Sequence, residues 1–327
     1  MRAVVLTKPG PVGNLRIEER PVPEPPRGWV RIKVMAFGLN RSELHTRLGL
    51  SEGVTFPRVL GIEAAGVVDA APGTDLAPGR QVVTMLGGMG RVYDGGYAEY
   101  TVVPRRQVIP FRSDLPWEVI GAVPETLQTA YGSLTTGLAV QPGQTLLIRG
   151  GTSSVGLAAI TVAKDRGATV VATTRQPERV ESLLEHGADH VVVDSGAIAD
   201  RVRALVPDGV DAALELVGTP TLRDTLLTCR VHGTVCFTGM LSNQWVVRDF
   251  YPIAYIPRGV QLTAYAGGSA DLPPEVLQDY LDRLAAGRAS LGPIRVHTLD
   301  EIREAHADLE HNRTFGKHVV LTHPEGV

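Results

Sequence analysis

A chain of 327 residues is longer than one hydrophobic core usually supports, and 43% hydrophobic with 20% charged residues is the balance of an ordinary globular protein, so two domains are expected. A net charge of −3, with no Lys/Arg cluster interleaved with aromatics, argues against nucleic acid as the main partner. The opening MRAVVLTKPG has no signal-peptide core and no uncharged run approaches membrane-spanning length, which predicts no membrane partner and a cytoplasmic location.

Through residue 122 the chain is rich in Pro, Gly and short Val/Ile runs, VRIKVMAF, AAGVVDAA, RQVVTML and YAEYTVVP, with turns such as APGTDLAPGR between them. That pattern predicts an irregular β-barrel. Over residues 123–268 it changes to strands (LLIR, TVVATT, HVVV, DAALELV, GTVCFTG, VQLTAY) separated by helical stretches such as ERVESLLEHGA and SGAIADRVRALV. The alternation predicts an α/β domain with a doubly wound, parallel, six-stranded sheet. Residues 269–327 hold two helical candidates, PEVLQDYLDRLAAG and DEIREAHADLEHN, and a last strand KHVVLT, too little for a domain and expected to return to the barrel. The final strand of the sheet, VQLTAYAG, would be an exposed edge in a monomer, so pairing with a second copy in a homodimer is expected.

The segment TLLIRGGTSSVGLAAI takes a buried strand into a glycine-rich turn and then a helix, the arrangement that holds a dinucleotide pyrophosphate on backbone amides at a helix N-terminus. Gly151, Ser153, Ser154, Val155 and Gly156 are the candidate contacts. Against GxGxxG the middle glycine is Ser153, which would be strained if the position required a positive φ, although its hydroxyl would be available to a phosphate oxygen. At the end of the next strand, TTRQPER carries no acid for the ribose hydroxyls. Arg175 and Arg179 are suited to a 2′-phosphate instead, with Thr174 donating a hydroxyl hydrogen bond, so NADPH is expected over NADH; the alternative is that both arginines are solvated residues at a helix start.

The two cysteines, Cys229 and Cys236, are expected to be buried thiols and are too few for a four-cysteine zinc lobe. Apart from His45, the histidines have no ligand spacing except His186 and His190, whose helical segment is broken by Gly187, and all eight are expected at the surface.

The order of barrel, nucleotide fold and short return, with PRVLGIEAAGVV, GGYAEYTVVP, LQTAYGSL, the glycine-rich turn and FGKHVVL, resembles the zinc-independent quinone oxidoreductases of the medium-chain dehydrogenase/reductase superfamily over nearly the whole chain. The AFGLNRSEL segment and the PxxxGxExAG pattern around Gly61, Glu63 and Gly66 are its most specific parts. The resemblance implies a GroES-like catalytic barrel and a Rossmann domain. Zinc-dependent members of the superfamily hold the metal with a cysteine, a histidine and a third cysteine or acid; those places here are Asn40, Ile62 and Glu125. Isoleucine has no lone pair and an amide oxygen is a weak ligand, so no catalytic metal is expected. Without a Lewis acid, hydride is expected to go to a quinone or an α,β-unsaturated carbonyl, whose negative charge delocalises onto an oxygen that hydrogen-bond donors can hold.

The resemblance further implies that Asn40 lines the nicotinamide and substrate cleft. His45 stands where a tyrosine is common, either as a proton donor or as an ordinary packed histidine. Thr129, Gly239, Met240 and Lys317 fall where the family approaches the nicotinamide or the rest of the cofactor. Glu63 is expected to support the barrel, and Glu125 would be an acid candidate if buried without a partner. Trp245, Phe250, Tyr251 and Tyr255 form either an apolar wall for a planar acceptor or ordinary packing. Two other functions fit the same residues: an enoyl reductase for thioesters, and a non-catalytic NADPH-binding protein.

Overall fold

Short runs of Val and Ile between Pro- and Gly-rich turns become strands, as anticipated, in the computed structural model, which describes residues 1–311 and 315–323. The chain divides into two compact units, Met1–Gln128 with Gly268–Val327, and Thr129–Gly267. Strands β1 (Arg2–Leu6), β2 (Leu15–Glu19), β3 (Trp29–Gly38), β4 (Arg58–Val59), β5 (Glu63–Ala70), β6 (Gln81–Met85), β7 (Tyr100–Pro104) and β8 (Val108–Pro110) open the first unit. Its helices to this point are α1 (Arg41–Arg47), α2 (Trp117–Ile120) and the start of α3 (Pro124–Gly132), which runs on into the second unit. The expected barrel takes the form of two sheets around one core of Val4, Leu6, Ile32, Phe37, Val82 and Val103. Gly66 is needed where β5 crosses β3, because a Cβ there would collide with the carbonyl oxygen of Lys33.

In the second unit strands and helices alternate: β9 (Thr145–Arg149), α4 (Ser154–Asp165), β10 (Thr169–Thr174), α5 (Val180–Glu185), β11 (His190–Val193), α6 (Ala199–Leu205), β12 (Val210–Glu215), α7 (Thr219–Thr228), β13 (Cys229–Phe237), α8 (Pro252–Tyr255) and β14 (Gln261–Ala264). Among the described residues they build one parallel sheet in the order β11-β10-β9-β12-β13-β14. The order reverses between β9 and β12, which opens a crevice at the carboxyl ends of these two strands. Nearly continuous apolar runs such as Leu146–Leu147–Ile148 are what burial on both faces requires.

The chain returns to the first unit with α9 (Pro274–Ala285), β15 (Ile294–Thr298), α10 (Ile302–Glu310) and β16 (Lys317–Leu321). β15 is not legible in the sequence: two of its central residues, Arg295 and Val296, are exposed, so it has no apolar run, and it forms because parallel pairing with β16 satisfies its backbone. β16 pairs antiparallel with β3, Val319 opposite Gly38, which brings Lys317 to the end of β3.

The cysteines are buried and unbridged, and burial pushes the Cys229 thiol up to about 11. The expectation of surface histidines is corrected for three of them. His297, His306 and His318 are buried, the first and third hydrogen-bonded to each other at 2.9 Å and stacked, while His306 lies edge-on to Tyr97. Burial holds His306 down to about 3 and His318 to about 4, so they pack as neutral aromatic rings.

Candidate functional site

The end of β3 is extended through Asn40, which caps α1 with φ −127° and ψ 159°. Its backbone N–H donates to Glu43 Oε2 at 3.1 Å, and the Ile62 N–H donates to Glu43 Oε1 at 2.8 Å, so one carboxylate ties the start of α1 to the segment entering β5. The Asn40 side chain lies between two charges. Nδ2 donates to Glu63 Oε1 at 2.8 Å, and Oδ1 accepts from Lys317 Nζ at 2.6 Å. An ammonium only donates and a carboxylate only accepts, so this pair determines which way the amide faces. The second Nδ2 proton has no acceptor among the described residues.

Lys317 is central to this cluster. Its Nζ lies 2.9 Å from Glu63 and 3.9 Å from Glu125, while the Glu125 backbone N–H donates to Glu63 Oε2 at 2.8 Å. Burial alone would favour loss of its proton, but the charges of Glu63 and Glu125 outweigh that and hold its pKa above the usual lysine value. Glu125 therefore has a cationic neighbour, and the condition under which it would be a lone buried acid is not met. Gly38 leaves the space the pair occupies, since a Cβ there would strike the Glu63 carboxylate and the Lys317 chain. Glu43 carries the perturbed acid instead: burial, with Glu63 nearby, raises it to about 7. His45 is buried two positions beyond Glu43, so the two side chains leave α1 about 200° apart.

In the second unit the glycine-rich turn follows β9. Gly150, rather than Gly151, has the left-handed conformation, φ +92°, while Ser153 is extended at φ −75° and ψ 160° and carries no strain. The Ser153 hydroxyl is already committed, donating to the Gly150 carbonyl at 2.8 Å and accepting from Gly156 N at 3.0 Å, so it caps α4 and is not available as the expected phosphate donor. The amides of Ser154 and Val155, the first two of α4, have no acceptor within the protein among the described residues. They present an anion cradle at the N-terminus of a 12-residue helix. Gly156 lets that helix approach, since a Cβ would meet the Gly150 carbonyl oxygen at 2.5 Å.

Beside the turn, Thr174 is also committed locally: its hydroxyl accepts from Gln176 N at 3.1 Å and donates to Gln176 O at 3.3 Å, shaping the bend rather than projecting a donor. Arg175 is exposed and Arg179 half-buried, and burial together with the like charge of Arg175 lowers the Arg179 pKa against the pull of Glu178. The two guanidiniums are thus near enough to feel each other. Gly239 and Met240 follow β13 on a segment pinned to the end of β12, with Gly239 N donating to Glu215 O at 3.0 Å and Leu241 N to Leu216 O at 3.1 Å. Thr129 lies in α3, and its carbonyl accepts from Ser133 Oγ at 2.6 Å.

A buried network under these loops was not anticipated. Arg149, at the end of β9 and 0% exposed, makes a bidentate pair with Asp194 at 2.8 and 3.0 Å and bonds Asp224 at 2.7 Å and Thr225 Oγ1 at 3.0 Å. Glu215 accepts from the same Thr225 hydroxyl at 2.5 Å and from Val217 N and Gly218 N at 2.7 and 3.0 Å. One guanidinium so ties the end of β9 to the loop after β11 and to α7. The sequence signal was an arginine ending the apolar run TLLIR.

Residues 26–113 match the family described as alcohol dehydrogenase GroES-like domain, and residues 154–286 the family described as zinc-binding dehydrogenase. The putative quinone oxidoreductase YhfP of Bacillus subtilis (strain 168) is 27% identical over 90% of this chain and 91% of its own. The crystal structure of AibC has a TM-score of 0.87 at 31% identity, covering 98% of this chain and 95% of that one. A mycobacterial protein, Rv1454c, in a structure complexed with NADPH, has a TM-score of 0.85 at 28% identity, covering 98% of this chain and 100% of its own. The chain belongs to the zeta-crystallin-like quinone oxidoreductase family of the medium-chain dehydrogenases/reductases.

Although one matched family is described as zinc-binding, the three positions of this zeta-crystallin-like chain that correspond to metal ligands do not suit zinc. Both polar atoms of the Asn40 side chain are hydrogen-bonded, Ile62 is aliphatic, and the ammonium of Lys317 stands beside Glu125 as a tethered cation. Among the described residues no group of three or more His, Cys, Asp or Glu side chains is arranged to hold a metal ion.

The raised Glu43 carboxyl has a consequence for stability. Below pH about 4.5 it is protonated whether the chain is folded or not; between about 4.5 and about 7 only the unfolded chain ionises, so its contribution falls as pH rises and is lost above about 7. Thermal unfolding of the wild type and Glu43→Gln across this range should reveal a relative loss in the wild type of up to roughly 3 kcal/mol. A difference independent of pH would contradict it.

Proposed function

We propose that this chain is an NADPH-dependent reductase of quinones and α,β-unsaturated carbonyls that works without a catalytic metal. The observation that carries the reading is the Asn40 amide, held between Lys317 and Glu63 with one N–H left over, in a donor set unsuited to zinc. When bound, NADPH supplies a hydride from nicotinamide C4 to the electron-poor carbon of the acceptor. Charge then develops on the conjugated oxygen, which the free Asn40 N–H is suited to hold. Lys317 and Glu63 keep that donor in position, so little reorganisation accompanies the step. A proton from solvent or from His45 completes a net two-electron reduction, leaving NADP⁺.

The second unit supports the cofactor. Ser154 and Val155 amides, with Gly151, Ser153 and Gly156 giving the turn its shape, suit the pyrophosphate; Arg175 and Arg179 suit the 2′-phosphate, with Thr174 shaping their bend. Thr129, Gly239, Met240 and Lys317 are assigned to the nicotinamide end. The NADPH complex of the 28%-identical mycobacterial relative supports this choice.

We place the protein in the cytoplasm, a reading supported by two unpaired cysteines; no helix among the described residues is long and apolar enough to cross a membrane. A homodimer is supported by β14, a sheet edge, and by exposed Tyr251 before α8, Ile253 in α8 and Val231 in β13 of the same unit.

Three measurements test these assignments. NADPH oxidation over a panel of quinones and enones should detect turnover, and Asn40→Ala should lower kcat by about 100-fold while NADPH affinity changes far less; no turnover across the panel would leave only cofactor binding. Arg175→Ala should raise the KM for NADPH by about ten-fold and that for NADH much less; equal effects would refute the phosphate assignment. Sedimentation velocity at micromolar concentration should give a dimer, and monomer alone would rule out edge pairing.

A further inference from the structure

Several guanidinium groups in the first unit are paired with carboxylates: Arg31 with Asp69 at 2.5 Å, Arg47 with Glu310 at 2.5 Å, Arg58 with Asp94 at 3.1 Å and Arg105 with Asp75 at 2.5 Å. Arg91 is different. It is exposed, and among the described residues no carboxylate lies within 4.0 Å of it. Its Nη2 instead donates to Ser42 Oγ at 2.5 Å, two residues beyond Asn40 on α1.

The loop that carries Arg91 is held against the segment leading to Glu63. Leu86 N donates to Ile62 O at 2.7 Å, Gly95 N to Val59 O at 2.9 Å and Gly96 N to Gly61 O at 3.1 Å, while Arg91 N closes a turn onto Gly88 O at 3.1 Å. Backbone at both ends of the loop and the side chain at its middle are therefore tied to the two stretches that build the Asn40 cluster. We infer that Arg91 is a specificity-determining residue that reads a carboxylate on the acceptor, so that the preferred substrate is an anionic conjugated carbonyl compound rather than a neutral quinone.

A guanidinium has five N–H donors in a planar fork matched to carboxylate geometry, and only one is engaged by Ser42. The serine hydroxyl fixes the head without cancelling its charge, which is what an anion-reading arginine requires and a structural ion pair does not. The charge balance of the neighbourhood agrees. Glu63 and Glu125 against Lys317 leave an excess of one negative charge when Glu43 keeps its proton, and the Arg91 guanidinium, tied to Ser42, supplies a positive charge that offsets it. A neutral quinone gains nothing from that arrangement.

The inference rests on the reductase reading, and the test separates the two. Values of kcat/KM for β-acetylacrylate and for its methyl ester are compared in the wild type, Arg91→Met and Arg91→Lys. The acid-over-ester ratio should fall about ten- to a hundred-fold in Arg91→Met and recover in part in Arg91→Lys. An unchanged ratio in Arg91→Met overturns the assignment. Binding of levulinate and methyl levulinate to the NADP⁺-saturated protein, measured by calorimetry, reads the same contact without chemistry. Weaker levulinate binding relative to the ester in Arg91→Met supports it, and the same relative affinity in wild type and variant overturns it, whereas absent turnover with intact levulinate discrimination counts against the reductase reading alone.

Discussion

One ammonium group, delivered by the last strand, organises the chemistry-bearing end of the first unit. Lys317 reaches Asn40 at the start of α1, Glu63 from β5 and Glu125 from α3, three stretches far apart in sequence, and it does so because β16 pairs with β3 in the register that sets Val319 against Gly38. A buried ammonium persists only where carboxylates repay its desolvation, and those carboxylates would repel one another without it. The amide of Asn40 takes its orientation from this balance. An excess of acid over base is relieved by Glu43, which keeps its proton to about neutrality and spends its oxygens on two backbone amides.

The second unit solves a similar problem with a different cation. Arg149 lies under the crevice formed where the strand order reverses, and its five donors join Asp194, Asp224, Thr225 and two backbone carbonyls. Loops at the carboxyl ends of parallel strands have few neighbours to hold them, and a multidentate buried ion fixes their mutual positions where apolar contacts would permit sliding. Burial disfavours the guanidinium charge, but Asp194, Glu215 and Asp224 more than compensate. The anion cradle of Ser154 and Val155 is held by the Ser153 cap and by the close contact of Gly156 with the turn.

Much of this was legible in the chain. Strand and helix alternation gave the order of the parallel sheet's elements, and the glycine-rich turn and the two arginines after β10 could be named from residue types, whereas the positions to compare with zinc ligands came from the family resemblance. The local roles of Ser153 and Thr174 could not. Both are hydroxyls that the motif suggests as phosphate donors, and sequence does not reveal that the Gly150 carbonyl and the Gln176 backbone have already taken their hydrogen bonds. β15 escaped because a strand with an exposed face lacks an apolar run, and the buried histidines because His is apolar enough to pack when neutral yet reads as polar.

What the sequence determined by itself were features that depend on near neighbours: apolar periodicity, a turn that needs glycine, and a strand end without an acid. Partnerships across long separations were decided by tertiary structure alone: Lys317 with Asn40, Arg149 with Asp194 and Asp224, and Arg91 with Ser42. The physical reason is that a charge has no preferred partner in the chain as written. Which carboxylate, amide or hydroxyl meets it is set by strand register and loop path, and these follow from burying the whole core at once.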